Sequence, residues 1–392
     1  MIIPASKRLE GVTTYYFARK LAEIDQMNKD GKAEVINLGI GSPDLNPPNV
    51  VMDKLKSVLQ AHDAHKYQSY KGIATLRSAF SNWYQRYFDV GVDPNTDILP
   101  LIGSKEGVMH VSMSFLNPGD QVLVPDPGYP SYSMCTTLAG GIPISMPLVE
   151  SLGWKPDLQA LDNLDLSKVK LMWLNYPNMP TGAKADLEFF NEVVAFAKKH
   201  QILVCHDNPY AFILNDHPIS ILNAEGAIDC CIELVSLSKC YNMAGWRVGA
   251  VVGAKPYIDT IMTFKSNMDS GMFKPIQEAA AIALDLDQEW IDSLNAEYIL
   301  RKQAAIEIME TLGLDCDKEG AGLFVWGKIK DESQDSETFS NQILTKSRVF
   351  VTPGHIFGKQ GNQYLRISLC SPVSEMEAAL YRIKTGYQSS NS

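Results

Sequence analysis

The sequence predicts an α/β protein: helices enclosing a mostly parallel sheet, then a smaller α+β region. Three observations carry this. Five short apolar runs (121–125, 170–175, 202–206, 232–236 and 248–252) are continuous rather than alternating, as strands buried on both faces are. Helical patterns lie between such runs: 74–88 aligns Leu76, Phe80, Tyr84 and Tyr87, and 187–200 aligns Phe190, Val193, Val194 and Ala197. The rhythm then changes near residue 277. A long helical stretch (277–313) leads to a strand (322–329), a helix (337–346), strands at 349–352 and 364–370, and a last helix (374–385).

Composition bounds the function. The 392 residues are enough for two or three domains and a full core without disulfide or metal staples. Acidic residues outnumber basic ones, 45 to 35, and no basic run is present, which argues against binding a phosphate backbone. Seven cysteines without a C-x-x-C spacing argue against a disulfide framework or zinc ribbon and fit a reducing cytoplasm. The first residues lack the apolar core of a signal peptide, and no apolar stretch approaches the roughly 20 residues of a membrane helix.

Ligands of such sheets bind beyond the carboxyl ends of the strands. The residues that follow each apolar run are therefore the candidates. After 232–236 come Leu237, Ser238 and Lys239, with Arg247 eight positions further on. A lysine at a buried strand end has a lowered pKa and becomes a nucleophile and Schiff-base former, while an arginine clamps an anion. A lone lysine or arginine here usually only snorkels to the surface; Ser236, Ser238, Lys239 and Arg247 together argue otherwise. Asp207 follows 202–206 and needs a cation or strong donor if buried, unless it merely caps a helix. Asn175 and the segment Tyr176–Gly182 read first as a Pro/Gly turn. Ser104 and Lys105, after a glycine and ahead of a helical pattern, suit a phosphate cup. Tyr129, in DPGYP, offers an aromatic face. An amine, a phosphate cup, a carboxylate for a ring nitrogen and an aromatic face together fit pyridoxal 5′-phosphate.

These motifs resemble those of the fold-type I, class I/II pyridoxal-phosphate aminotransferases. The resemblance covers nearly the whole chain and keeps family order: NLGIGSPD (37–44), YQSYKGIATLR (67–77), IGSKEG (102–107), DPGYP, the Pro-Thr-Gly turn, DNPY (207–210), SLSK (236–239) with Arg247, and YLRIS (364–368). Each motif is common; the ordered set is specific. The resemblance implies that Lys239 is the aldimine lysine, which then moves a proton between the substrate α-carbon and the cofactor C4′. Asp207 matches the partner of the pyridine nitrogen, and Tyr210 a hydroxyl donor to the phenolate oxygen. Ser236 and Arg247 match phosphate ligands, with Ser104 and Lys105 in the cup and Ser238 beside them. Tyr129 matches the residue that stacks on the ring. Tyr67 matches a tyrosine that reaches the neighbouring subunit's phosphate, implying a homodimer with shared sites. Arg366 matches the fork that grips the substrate α-carboxylate, Gly41 a backbone donor facing it, and Tyr15 an aromatic of the N-terminal arm. The implied organisation is an N-terminal arm with part of a small domain (1–45), a large cofactor-binding domain (46–276) and a small C-terminal domain (277–392).

One departure stands out. The family reads Asn-Pro-Thr-Gly, and that asparagine bonds the phenolate oxygen; here Met179 precedes Pro180, so Asn175 or Asn178 is expected to supply the amide. Lys265, Asn267 and Lys274 lie where a second subunit often contributes, though ordinary loop polarity is the simpler reading. The subgroup resembles LL-diaminopimelate, alanine, methionine and aromatic aminotransferases alike. GIGSPD lacks the strand–helix setting of a dinucleotide site, His62 and His65 have no partner at metal spacing, and Cys230–Cys231 read as core. No metal is expected. The expected reaction is ping-pong transfer of an amino group from an L-amino acid to a 2-oxo acid. A C–S lyase acting by β-elimination on the same scaffold is the alternative, and a non-catalytic regulator a distant third.

Overall fold

The computed structural model describes residues 2–10, 12 and 16–387, and its apolar runs form one eight-stranded sheet. In chain order the strands are β1 (Ile36–Asn37), β2 (Ile98–Leu101), β3 (Gln121–Asp126), β4 (Ile142–Val149), β5 (Lys155–Pro156), β6 (Val169–Leu174), β7 (Leu203–Asp207), β8 (Cys231–Ser236), β9 (Gly249–Gly253), β10 (Asp315–Cys316), β11 (Phe324–Lys328), β12 (Val349–Phe350), β13 (Thr352–Pro353) and β14 (Tyr364–Ser368). The large sheet runs β2-β9-β8-β7-β6-β3-β4-β5. Its centre (β8, β7, β6, β3, β4) is parallel, whereas β9 is antiparallel to both β8 and β2. The carboxyl ends of β2, β3, β6, β7 and β8 and the amino end of β9 therefore share one edge. Leu101, Gly249 and Ser236 stand in one row at that edge.

The helices are α1 (Tyr16–Met27), α2 (Asn49–Val58), α3 (Ala74–Phe88), α4 (Ser104–Phe115), α5 (Ser131–Leu138), α6 (Leu158–Asp162), α7 (Leu187–His200), α8 (Leu237–Cys240), α9 (Lys255–Lys265), α10 (Lys274–Leu284), α11 (Gln288–Thr311), α12 (Ser336–Ser347) and α13 (Val373–Arg382). Helix α3 and helix α7 keep the bounds their apolar stripes predict. Asp186 caps α7, its side chain accepting from Phe189 N at 2.8 Å. The single helix expected at 277–313 is instead two. Helix α10 ends at Leu284 with Asp285 as its C-cap, and Asp287 adopts an extended conformation as the N-cap of α11. The Asp-rich sequence that permits this break is a start signal the apolar periodicity alone conceals.

Strands β10, β11, β14 and β13 make a second, antiparallel sheet. The N-terminal segment is stitched to it. Strand β1 pairs with β12, Leu38 N donates to Phe350 O at 3.0 Å, and Ser368 N donates to Leu38 O at 2.7 Å. One hydrophobic core joins the two regions, running from Tyr210 and Leu237 to Phe324 and Ile367.

Candidate active site

The shared sheet edge and the second sheet enclose a cavity of about 530 Å³, and the strand-end residues converge in it. Lys239 is presented by the short turn α8. Ser236 starts that turn, its hydroxyl accepting from Ser238 N at 3.2 Å. The Lys239 ammonium donates to the Gly41 carbonyl, which the N-terminal segment brings alongside. Burial lowers the pKa of Lys239, and the nearby charges of Arg366 and Arg247 lower it further. The neutral amine that Schiff-base chemistry requires is thereby favoured.

Asp207 ends β7 and is buried. Its Oδ2 accepts from the Tyr132 hydroxyl at 2.8 Å, while Oδ1 has no partner among the described residues. Desolvation pushes its carboxyl up to about 6, against the pull of the Tyr132 hydrogen bond. A buried carboxylate oxygen left without a donor beside a cavity is complementary to a cationic N–H. Tyr132 stacks flat on Trp173, with centroids 4.9 Å apart, and is itself fully buried, so its hydroxyl is fixed. The neighbouring residue His206 belongs to a separate cluster: it contacts Glu233 at 2.7 Å, which also accepts from Tyr84 (2.8 Å) and Ser220 (2.9 Å).

The cup expected to hold a phosphate is assembled from two elements. Gly103, at φ +79°, precedes α4 and turns Ser104 and Lys105 into the cavity. A Cβ at Gly103 would fall on the Arg247 guanidinium, so glycine is what lets that cation lie over the helix start. Arg247 adopts φ +57°, and its Nη1 donates to Ala244 O at 2.9 Å and contacts Ser238 Oγ at 3.4 Å. Glu106 accepts from Ile102 N at 2.5 Å and holds the loop closed. Burial opposes its charge, but bonds from His110 and Asp269, with the charge of Lys265, hold its carboxyl down at about 2. Glu106, His110 and Asp269 bring their ligand atoms within 4.8 Å of one another, yet Lys265 already supplies the cation, lying 2.5 and 2.7 Å from the two Asp269 oxygens.

Arg366, in the middle of β14, is buried opposite Trp326 and Thr352. Its Nη2 donates to Gly39 O at 2.7 Å, and its Nη1 lies 3.3 Å from the Met179 sulfur. Three rings surround the guanidinium: Phe324 at 4.0 Å, Phe357 at 4.6 Å and Phe17 at 5.6 Å. Such a fork, walled by rings, suits a carboxylate. Gly41 packs so closely on Phe324 that a Cβ would come within 2.6 Å of the ring.

Most of the sequence candidates meet here: Gly41, Ser104, Lys105, Tyr129, Asn175, Asp207, Tyr210, Ser236, Ser238, Lys239, Arg247 and Arg366 all line the cavity. Asn178 does not. Its side-chain oxygen accepts from Thr181 Oγ1 at 2.8 Å and its amide donates to Asn175 O, so it closes the Pro/Gly turn. Of the two expected amide donors, only Asn175 reaches the cavity, and it is tied by Nδ2 to Asp207 O (2.7 Å) and by Oδ1 to Met179 N (2.8 Å). Tyr67 is 92% exposed and does not line this cavity. Tyr15 lies outside the described residues. Lys265 and Asn267 bond within their own segment, to Asp269 and Thr263, and Lys274 bonds to the distant Asp63. Tyr132 was not anticipated from sequence; its signal is a second aromatic three residues after Tyr129, at the second position of α5. Phe17, Phe324 and Phe357 were also missed, because they come from elements far apart in sequence.

Residues 33–383 match the aminotransferase class I and II family. An LL-diaminopimelate aminotransferase of Dehalococcoides mccartyi is 42% identical over 388 residues, covering 98% of this chain and 99% of the relative. That of Gloeobacter violaceus is 42% identical over 96% of this chain and 97% of its own length. Among solved structures, apo-BacF from Bacillus subtilis superposes with a TM-score of 0.93 at 36% identity, over 97% and 98% of the two chains. Aspartate aminotransferase from Thermotoga maritima superposes at 0.90 with 26% identity, over 99% and 100%.

Proposed function

The chain belongs to the aminotransferase class I and II family and transfers amino groups on the fold-type I scaffold; from that premise we propose that it binds pyridoxal 5′-phosphate in the cavity around Lys239. The observation that carries this is the convergence of Lys239, Asp207, Arg247 and Arg366 on one cavity. The residues fit the group: the unpartnered Asp207 Oδ1 suits a protonated ring nitrogen, and the Gly103–Arg247 cradle suits a phosphate. When bound, the cofactor supplies a carbonyl for the amine and a protonated ring that accepts the electron pair released at the substrate α-carbon.

Each residue then has one task. Asp207 holds the ring N–H as an ion pair, and Tyr132 keeps the carboxylate aimed. Ser104, Lys105, Ser236, Ser238 and Arg247 hold the phosphate at the start of α4. Tyr129 covers the ring, and Tyr210, with the free N–H of Asn175, supports its phenolic oxygen. Arg366 fixes the substrate α-carboxylate, which orients the α-carbon towards Lys239. The Lys239 amine, its pKa lowered by burial, would take the α-proton. Water would supply the oxygen of the departing 2-oxo acid while the amino group stays behind, and a second 2-oxo acid would carry that amino group away with the same groups acting in reverse. No observation favours the C–S lyase alternative.

The same reading makes the protein a homodimer, with the exposed Tyr67 completing the partner's phosphate site. It also divides the chain into an N-terminal arm, a large cofactor-binding domain and a small C-terminal domain. Helix α10 packs on α2 and α3, so the gap between α10 and α11 is the natural end of the large domain. Seven unpaired cysteines agree with a cytoplasmic setting, and no described helix is long and apolar enough to cross a membrane. The relatives' activity makes LL-diaminopimelate one amino donor to test. The experiment is a single half-reaction: holoenzyme mixed with excess amino acid and no acceptor, followed by absorbance. Cofactor converts to its amine form, and the rate falls by at least about 10⁴-fold in Lys239→Ala, beyond the 10²–10⁴ typical of one acid–base group. Retention of the wild-type rate by Lys239→Ala would reject the assignment.

A further inference from the structure

The inference rests on reading the cavity as an amino-transfer site. We propose that Asp126 is a positioning residue for substrate binding. From the end of β3 it clamps turn 354–361, whose Phe357 stands against the Arg366 guanidinium that receives the substrate carboxylate.

Asp126 is the last residue of β3, buried, and paired in register with Pro147 of β4. Both of its carboxylate oxygens are engaged. Oδ2 accepts from Ser145 Oγ, on β4, at 2.9 Å, which fixes the carboxylate against the large sheet. Oδ1 accepts from Gln360 N at 3.0 Å, in the turn between β13 and β14. Gly358 makes room for that approach. It adopts φ +135° with an extended ψ, a backbone open essentially to glycine, and a Cβ there would collide with Asp126 Oδ1. A second bond runs beside the first: Gly128 N donates to Phe357 O at 2.8 Å.

The turn is tight enough to pass this hold on to the site. Gly358 N donates to His355 O and Gly361 N to Gly358 O, both at 3.1 Å. Gly354 and Gly361 lie so close that a Cβ on either would strike the other's carbonyl oxygen. The Phe357 ring lies 6.0 Å from that of Trp326, which stands opposite Arg366 in the second sheet. Phe357 is buried, lines the cavity and has its ring 4.6 Å from the guanidinium carbon. Asp126 does not line the cavity, so it acts through Phe357 on Arg366 and not on the reacting atoms. The clamp joins the large sheet to the second one. Loosening it lets Phe357 withdraw and weakens the grip on the carboxylate, while Lys239 and the phosphate cup keep their places on the large sheet.

The test is the half-reaction of the holoenzyme, read as a substrate dissociation constant and a limiting rate constant, with the cofactor dissociation constant measured beside them. LL-diaminopimelate, L-aspartate, L-alanine and L-phenylalanine are supplied, and variants are compared on the donor that the wild type converts fastest. Asp126→Ala should raise the substrate dissociation constant by about tenfold, as loss of a hydrogen bond to a charged group does, with the limiting rate and cofactor affinity unchanged. Asp126→Asn keeps an acceptor for Gln360 N and offers its amide to Ser145 Oγ, so it should restore the wild-type value. Ser145→Ala, at an exposed position of β4, should give a smaller rise of about threefold. An unchanged substrate dissociation constant in Asp126→Ala would overturn the proposal, and so would an equal loss of cofactor affinity, which would make Asp126 a support of the fold alone. If Asp126→Ala does not fold, Ser145→Ala decides, and no rise there overturns the proposal. If no amino acid converts the wild-type cofactor, the amino-transfer reading fails, and the proposal with it.

Discussion

Asp207 and Tyr132 show how one hydroxyl sets the working range of a buried carboxylate. Burial alone disfavours the charged form, and the carboxyl stands at about 6 even with the Tyr132 bond in place. The bond favours the ionised form, so Tyr132→Phe moves the midpoint upward. A ring N–H needs the ionised partner, so cofactor binding weakens as pH falls through that midpoint. The dissociation constant measured against pH should break about one unit higher in Tyr132→Phe than in the wild type, the equivalent of a hydrogen bond to a charged group. An unmoved break would show that Tyr132 only fills space. Lys239 and Asp207 were legible in the sequence because each follows an apolar run where a charge needs a reason, and Arg247 because it accompanies Lys239 just ahead of another run; Arg366 was reached only through the resemblance of YLRIS. Tyr132 was not, since an aromatic in a buried helix is ordinarily core. The roles of Asn175 and Asn178 were legible only as a pair. Which of them reaches the cavity depends on the turn's internal bonds, and those depend on chain geometry that residue identity does not carry.

Among the elements, the start of α4 is the most exacting. Gly103 combines a left-handed backbone with direct contact from Arg247, so two separate costs fall on any side chain there. With φ +79° and an extended ψ, the backbone term alone is about 1–3 kcal/mol. Gly103→Ala should therefore weaken cofactor and inorganic phosphate binding by at least about tenfold, measured by titration of the cofactor-free protein. Equal affinity would mean that Arg247 does not close the cup. Helix α3, helix α7 and the central strands were legible because their periodicity is imposed by packing on the sheet. The break between α10 and α11 was not, because apolar residues continue through it and only Asp285 and Asp287 mark it. Helix α1, which supplies Phe17 and Leu21, was overlooked for a related reason: its exposed polar residues dilute the stripe.

For the whole molecule, the site exists only where three parts of the chain meet. The large sheet brings Asp207 and Lys239, the second sheet brings Arg366, and the N-terminal segment threads between them with Gly39 and Gly41. Topology explains this: the reversal at β9 returns Arg247 to the edge where β8 ends, and pairing of β1 with β12 holds the early segment against the late one. The α/β class and the smaller α+β region follow from the order of apolar runs. Long-range pairings such as β1 with β12 leave almost no sequence signal, because they involve two residues each. The whole arrangement turns on Lys239 as the amine that would capture the cofactor. The decisive experiment is borohydride reduction of the holoenzyme followed by mass spectrometry of its peptides. One stable pyridoxyl adduct per chain is expected, on Lys239. An adduct on Lys105 or another lysine, or none on a protein that has bound the cofactor, would contradict it.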